Sequence, residues 1–148
     1  MNQPRQSGPQ AGFSLIELLI VVTVIGLLSA IAILYLNQAK QAARSASAVN
    51  SLRLITTGEN SYRAARGQFA DLPTLSAAGY ISDDALAAGE KSSYSFAVTL
   101  GADPTLNYTA TATPVTAPTV NRHFFVNESG VMRAEVGAAA TAVSQAID

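Results

Sequence analysis

The sequence predicts an α+β chain: a long N-terminal α-helix, membrane-spanning over its first half, packed on a small antiparallel β-sheet. Three observations carry the prediction. Residues 18–36 are an uncharged, almost wholly apolar run. Residues 37–65 follow without a proline and with one glycine, Gly58. From Ser92 onward the apolar residues recur with a period of two, which belongs to half-buried strands.

The apolar run holds 19 residues, Leu18 to Leu36. At about 1.5 Å per residue it is long enough for a bilayer core of roughly 30 Å. Glu17 stands at its front edge, where a carboxylate entering hydrocarbon costs about 2.5–3.5 kcal/mol. The first cation after it is Lys40, so a partner is not available nearby in sequence. Gly26 and Ala30 form a small-xxx-small pair, with Ser29 beside them, of the kind that lets apolar helices approach closely.

Beyond Leu36 the helix is expected to continue as an amphipathic segment. Ala42, Ala46, Val49, Leu52, Ile55 and Tyr62 recur at close to 3.6 residues and form one stripe. Lys40, Arg44, Asn50, Arg53 and Glu59 are expected largely off it. Arg66-Gly67 supplies a basic last turn and a glycine just past the end, so one helix of about 50 residues runs from Phe13 to about Ala65.

The remaining residues read as a small head. Gln68 to Leu75 is a linker into a shorter element, anchored by Phe69, Leu72, Leu75, Tyr80, Ile81 and Leu86. Ser82-Asp83-Asp84 starts a short capped helix from Asp83 to Ala88. Four strands follow at meander spacing: Tyr94 to Leu100, Leu106 to Ala112, His123 to Val126, and Val131 to Val136. Gly101 to Pro104 and Asn127 to Gly130 are turns. Residues 137–148 are left open between a loose tail and an added strand.

Composition narrows the function. Net charge is −1 over 148 residues, so nothing points to nucleic acid. Cysteine is absent, so strand pairing and packing must hold the C-terminus. The sequence shows no catalytic constellation, and an enzyme, a cofactor and a metal centre are not expected. The single histidine, His123, reads as a sheet residue. Asp83 and Asp84 read as a helix cap in preference to calcium ligands, since calcium takes about 6–8 oxygens. The aromatic residues, 7% of the chain, read as packing.

The hexad Gly12-Phe13-Ser14-Leu15-Ile16-Glu17, opening a long apolar run after the polar stretch MNQPRQSGPQA, resembles the N-terminus of type IV pilins and type II secretion pseudopilins. The resemblance implies cleavage between Gly12 and Phe13 by a prepilin peptidase, N-methylation of Phe13, and Glu17 as the assembly glutamate. It divides the chain into a leader (1–12), a transmembrane and assembly helix (13–36), the amphipathic half of the same helix (37–66) and a head (67–148) with the pilin α/β roll. It also implies storage in inner-membrane lipid with the head outside the cytoplasm, then a homo-oligomeric extracellular filament. The partners would be other pilins and an assembly ATPase acting through a platform protein. Pilins often carry a proline after the segment matched by Ile31-Ala32-Ile33; here Leu34 stands there, and a straighter helix is expected. A secretion pseudopilin is the near alternative. An uncleaved single-span membrane protein with a small binding head is the distant one.

Overall fold

An alanine-rich, proline-free sequence keeps α1 helical without interruption from Leu15 to Arg66, 52 residues, in the computed structural model, which describes residues 12–147. Residues 1–11 of the expected leader lie outside that range. No melted turn occurs at Leu34. Gly67 ends the helix in the left-handed conformation at φ +79°, and its N–H donates to Arg63 O at 2.7 Å. The chain divides into two compact units after Lys40.

In the first unit, α1 is exposed on every side through the apolar run. It is a helix long and apolar enough to cross a membrane.

The second unit begins at Gln41 and contains the C-terminal part of α1, the helices α2 (Leu72–Ala77) and α3 (Asp84–Ala87), and six strands. These are β1 (Glu90–Lys91), β2 (Tyr94–Leu100), β3 (Tyr108–Pro114), β4 (Arg122–Asn127), β5 (Arg133–Val136) and β6 (Gln145–Ala146). They pair in sequence order as an antiparallel meander. The α+β expectation therefore holds, with six strands where four are expected. The two extra strands are two-residue edges. Short edges leave few unpaired backbone groups to recruit another chain.

One apolar core joins α1 to the sheet. It contains Ala48, Leu52 and Ile55 from α1, Tyr94 and Phe96 from β2, Tyr108, Ala110 and Ala112 from β3, and Phe124 and Val126 from β4. Phe69, Leu72, Leu75, Ile81 and Leu86 close it from the α2–α3 side. All six apolar anchors expected between α1 and the sheet are at least partly buried.

The stripe expected on α1 meets the core at Val49, Leu52, Ile55 and Tyr62 and differs elsewhere. The buried residues are Ala48, Ser51, Leu52, Ile55, Gly58 and Glu59, while Ala42 and Ala46 are exposed. The face that meets the core is rotated toward Ser51 and Glu59, so small and polar residues occupy positions assigned to the surface. Gly58 is part of this contact. A Cβ built there lies 3.5 Å from Tyr80 O and 3.6 Å from Ile81 Cγ1, ordinary van der Waals distances.

Two more elements differ. The linker contains α2, capped by Asp71, whose carboxylate accepts the Thr74 N–H at 3.0 Å, with Pro73 in the first turn. The first hairpin turns on Ser92-Ser93, both in the left-handed region at φ 52° and 65°, the geometry of a type I′ turn. Serine is not a residue that advertises that turn. The C-terminal segment resolves to the strand option. β6 pairs with β5, Arg133 Nη1 donates to Ser144 O at 2.8 Å, and the Ile147 N–H donates to Met132 O at 2.9 Å.

Candidate assembly segment

Gly12, Phe13 and Ser14 precede α1 in non-helical conformation, and the Leu18 N–H donates to Ser14 O at 3.2 Å. Glu17 lies in the first helical turn, where the helix dipole favours a negative charge. Phe13 is 84% exposed, and Leu15, Ile16 and the apolar residues behind them are exposed as well. Consecutive positions on a helix point about 100° apart, so this apolar surface wraps the whole circumference.

Inside the run the hydroxyls of Thr23 and Ser29 are satisfied by the helix's own backbone. Thr23 Oγ1 donates to Leu19 O and Ser29 Oγ donates to Ile25 O, both at 2.7 Å. Glu17 is the exception: among the described residues the one ion pair is Lys91 with Asp83. Nothing lies within 4 Å of a Cβ built at Gly26, and Ala30, one turn on, is exposed. The sequence-derived residues thus sit along one bare helical segment.

The head residues singled out from sequence have structural partners. Asp83 caps α3, its Oδ1 accepting the Leu86 N–H at 3.0 Å, while Oδ2 pairs with Lys91 Nζ at 2.6 Å. The Lys91 and Leu86 contacts hold its carboxyl below the ordinary aspartate range. Both oxygens are engaged, as the cap reading requires. His123 is buried in β4, with Nε2 3.0 Å from Pro118 O in the loop before it.

Sequence reasoning missed Glu59. It is fully buried on the core face of α1. Its Oε2 accepts the Ala70 N–H at 3.0 Å, and Oε1 has no partner. Desolvation raises its pKa from 4.5 to about 7; the Ala70 N–H opposes the rise and the Asp71 carboxylate adds to it. Tyr108 Oη is also buried without a hydrogen-bond partner. The Thr56 hydroxyl, a polar neighbour, donates instead to Leu52 O at 2.9 Å. Burial pushes the Tyr108 phenol up; the nearby Thr56 hydroxyl opposes the rise, and Glu59 and Glu128 add to it. The available signal was spacing: Leu52, Ile55, Glu59 and Tyr62 follow one another at intervals of three and four.

No curated protein and no solved structure matches the chain. Residues 8–33 match the family model described as the prokaryotic N-terminal methylation motif. The matched range contains Gly12, Phe13, Glu17, Gly26 and Ala30. Through this motif the chain carries the prepilin-type signal of type IV pilins and pseudopilins, placed at the head of the one long apolar helix among the described residues.

Proposed function

We propose that the chain is a structural subunit of a type IV pilus-like filament. It is cut between Gly12 and Phe13 by a prepilin peptidase, methylated on Phe13, and polymerised through α1. The observation that carries this reading is an apolar stretch of α1, residues 15–36, exposed along its length, whose one charged group, Glu17, stands near its start inside the methylation motif.

The physical argument runs from burial. Apolar surface on all sides of a helix is stable in lipid or against other such helices. Cleavage after Gly12 creates an amine at Phe13, one turn from Glu17. In a staggered neighbour that amine is the partner Glu17 lacks, and pairing offsets the cost of removing each charge from water. Helix packing then supplies cohesion, and the ion pair sets register. Gly26 and Ala30 allow close contact along the same bundle. The subunit waits in the inner membrane with its head outside the cytoplasm and enters the filament through an assembly ATPase and platform protein. Its role is mechanical, not enzymatic, and the heads tile the outside for adhesion or traction.

Mass spectrometry of sheared surface filaments and of membranes tests this. A methylated Phe13 N-terminus in filaments is the expected result. The same terminus confined to the membrane indicates a secretion pseudopilin. An intact Met1 in cells with active prepilin peptidase overturns the proposal. Glu17→Ala is expected to insert in the membrane and to fail in assembly; normal filaments from it would refute the register role.

A further inference from the structure

We propose that Glu59 is a pH-sensitive latch on the segment that leaves α1: neutral, it holds residues 67–72 against the helix, and ionised, it releases them. The geometry makes the two states unequal. Glu59 is fully buried, and its one hydrogen bond reaches across to the Ala70 backbone. A carboxylate so placed needs a cation or several donors to stay charged. It has one donor.

The surrounding groups do not supply the missing charge. On α1, Thr56 uses its hydroxyl on Leu52 O, and the Arg63 guanidinium stacks over the Phe69 ring at 4.8 Å from its centroid. From the segment itself comes Asp71, an acid. From β3 comes Tyr108, whose own charged form is disfavoured, and Glu128 beyond it is a further acid. Asp71, the charged neighbour that acts on Glu59, therefore adds to burial in favouring the neutral carboxyl.

Ionisation is relieved by letting water reach Oε1, and the covering segment is the part able to move. Phe69, Ala70 and Leu72 are its buried anchors, and Phe69 packs on Tyr108 with ring centroids 4.6 Å apart. Besides the Glu59 contact and its bonds to the adjoining helix ends (Gly67 N–H to Arg63 O, Leu75 N–H to Asp71 O), its backbone is tied to the head by the Phe69 N–H on Pro104 O at 2.8 Å. Opening hydrates the carboxylate and uncovers Phe69, leaving the β2–β4 ladder intact. With a closed-state pKa of about 7 and an open-state value of 4.5, the opening equilibrium rises on the order of a hundredfold between pH 5 and pH 8.

The test is nuclear magnetic resonance on the full chain in detergent micelles. The Glu59 side-chain carboxyl carbon is titrated from pH 4 to 9, and amide exchange of Phe69 and Ala70 is followed after correction for intrinsic base catalysis. Expected are a Glu59 midpoint near neutrality and a loss of Ala70 protection on the order of a hundredfold, while β3 and β4 amides keep theirs. Glu59→Gln should abolish that pH dependence, and Asp71→Asn, which keeps a capping side chain, should lower the midpoint. A wild-type midpoint near 4.5 or pH-independent protection overturns the proposal without reference to any variant. Unchanged pH dependence in Glu59→Gln would do the same.

Discussion

Two tyrosines in the same core make one substitution give opposite results. Tyr108 and Tyr94 are both buried, and each ring packs on a phenylalanine: Phe69 at 4.6 Å and Phe124 at 5.8 Å. Changing either to phenylalanine keeps that packing and removes one oxygen. The Tyr94 hydroxyl donates to Arg122 O at 3.0 Å and lies 3.3 Å from Ser45 Oγ. The Tyr108 hydroxyl has no partner. A made hydrogen bond contributes about 1 kcal/mol, whereas a buried unmade one costs about 1–3 kcal/mol in desolvation. Tyr94→Phe should therefore destabilise by about 1 kcal/mol, and Tyr108→Phe should stabilise by about the same amount. For a unit of this size, 1 kcal/mol moves the midpoint by about 5 °C. Thermal unfolding of the full chain in detergent, followed by circular dichroism, should show one variant melting lower and the other higher than wild type. A lower midpoint for Tyr108→Phe would refute the reasoning, because it would mean that the Tyr108 hydroxyl is bonded.

Global stability should fall as pH rises through neutrality. Glu59 has its folded pKa raised, so its contribution is complete below 4.5 and lost as pH climbs through about 7, in all about 3 kcal/mol. Asp71, Asp83 and Asp103 are shifted down, so their contributions are present above 3.8 and lost in acid. Urea titrations should place the optimum near pH 5, and Glu59→Gln should flatten the alkaline side; a wild type most stable at pH 8 contradicts this. Gly58→Ala should stabilise by about 0.5–1 kcal/mol, since the added methyl meets neighbours at contact distance and alanine is the better helix former; a lower melting temperature would show the approach to Tyr80 to be tighter than contact. Ser93→Gly should stabilise the first hairpin by about 1 kcal/mol by removing a side chain from a left-handed position; slower amide exchange in β1 and β2 would register it.

The N-terminal segment was legible in the sequence because its signals are local and chemical. An uncharged run of 19 residues states its own length and environment, and the hexad ending at Glu17 lies in a methylation motif made of contiguous residues. The same holds for Asp83, an acid at the start of a short apolar helix, and for Gly67, which left-handed termination selects. Strand phase was legible wherever inward and outward residues alternate in type, as in β2 and β3. The rest depends on what each residue meets. Alanine and serine have similar preferences on a surface and in a tight core, so periodicity could not choose between Ala42 and Ser51 as the packed side of α1. Ser92-Ser93 turns because flanking strands pair, and β6 exists because β5 offers an edge. A glutamate at position 59 reads as surface by type; only the segment folding back over α1, with Ala70 donating to it and Tyr108 beyond, removes its water and raises its pKa. Sequence alone determined which segment is apolar enough to cross a membrane, because solvent preference is a property of the segment itself. Tertiary structure alone decided which polar groups of the head are buried, because desolvation is imposed by residues distant in the chain.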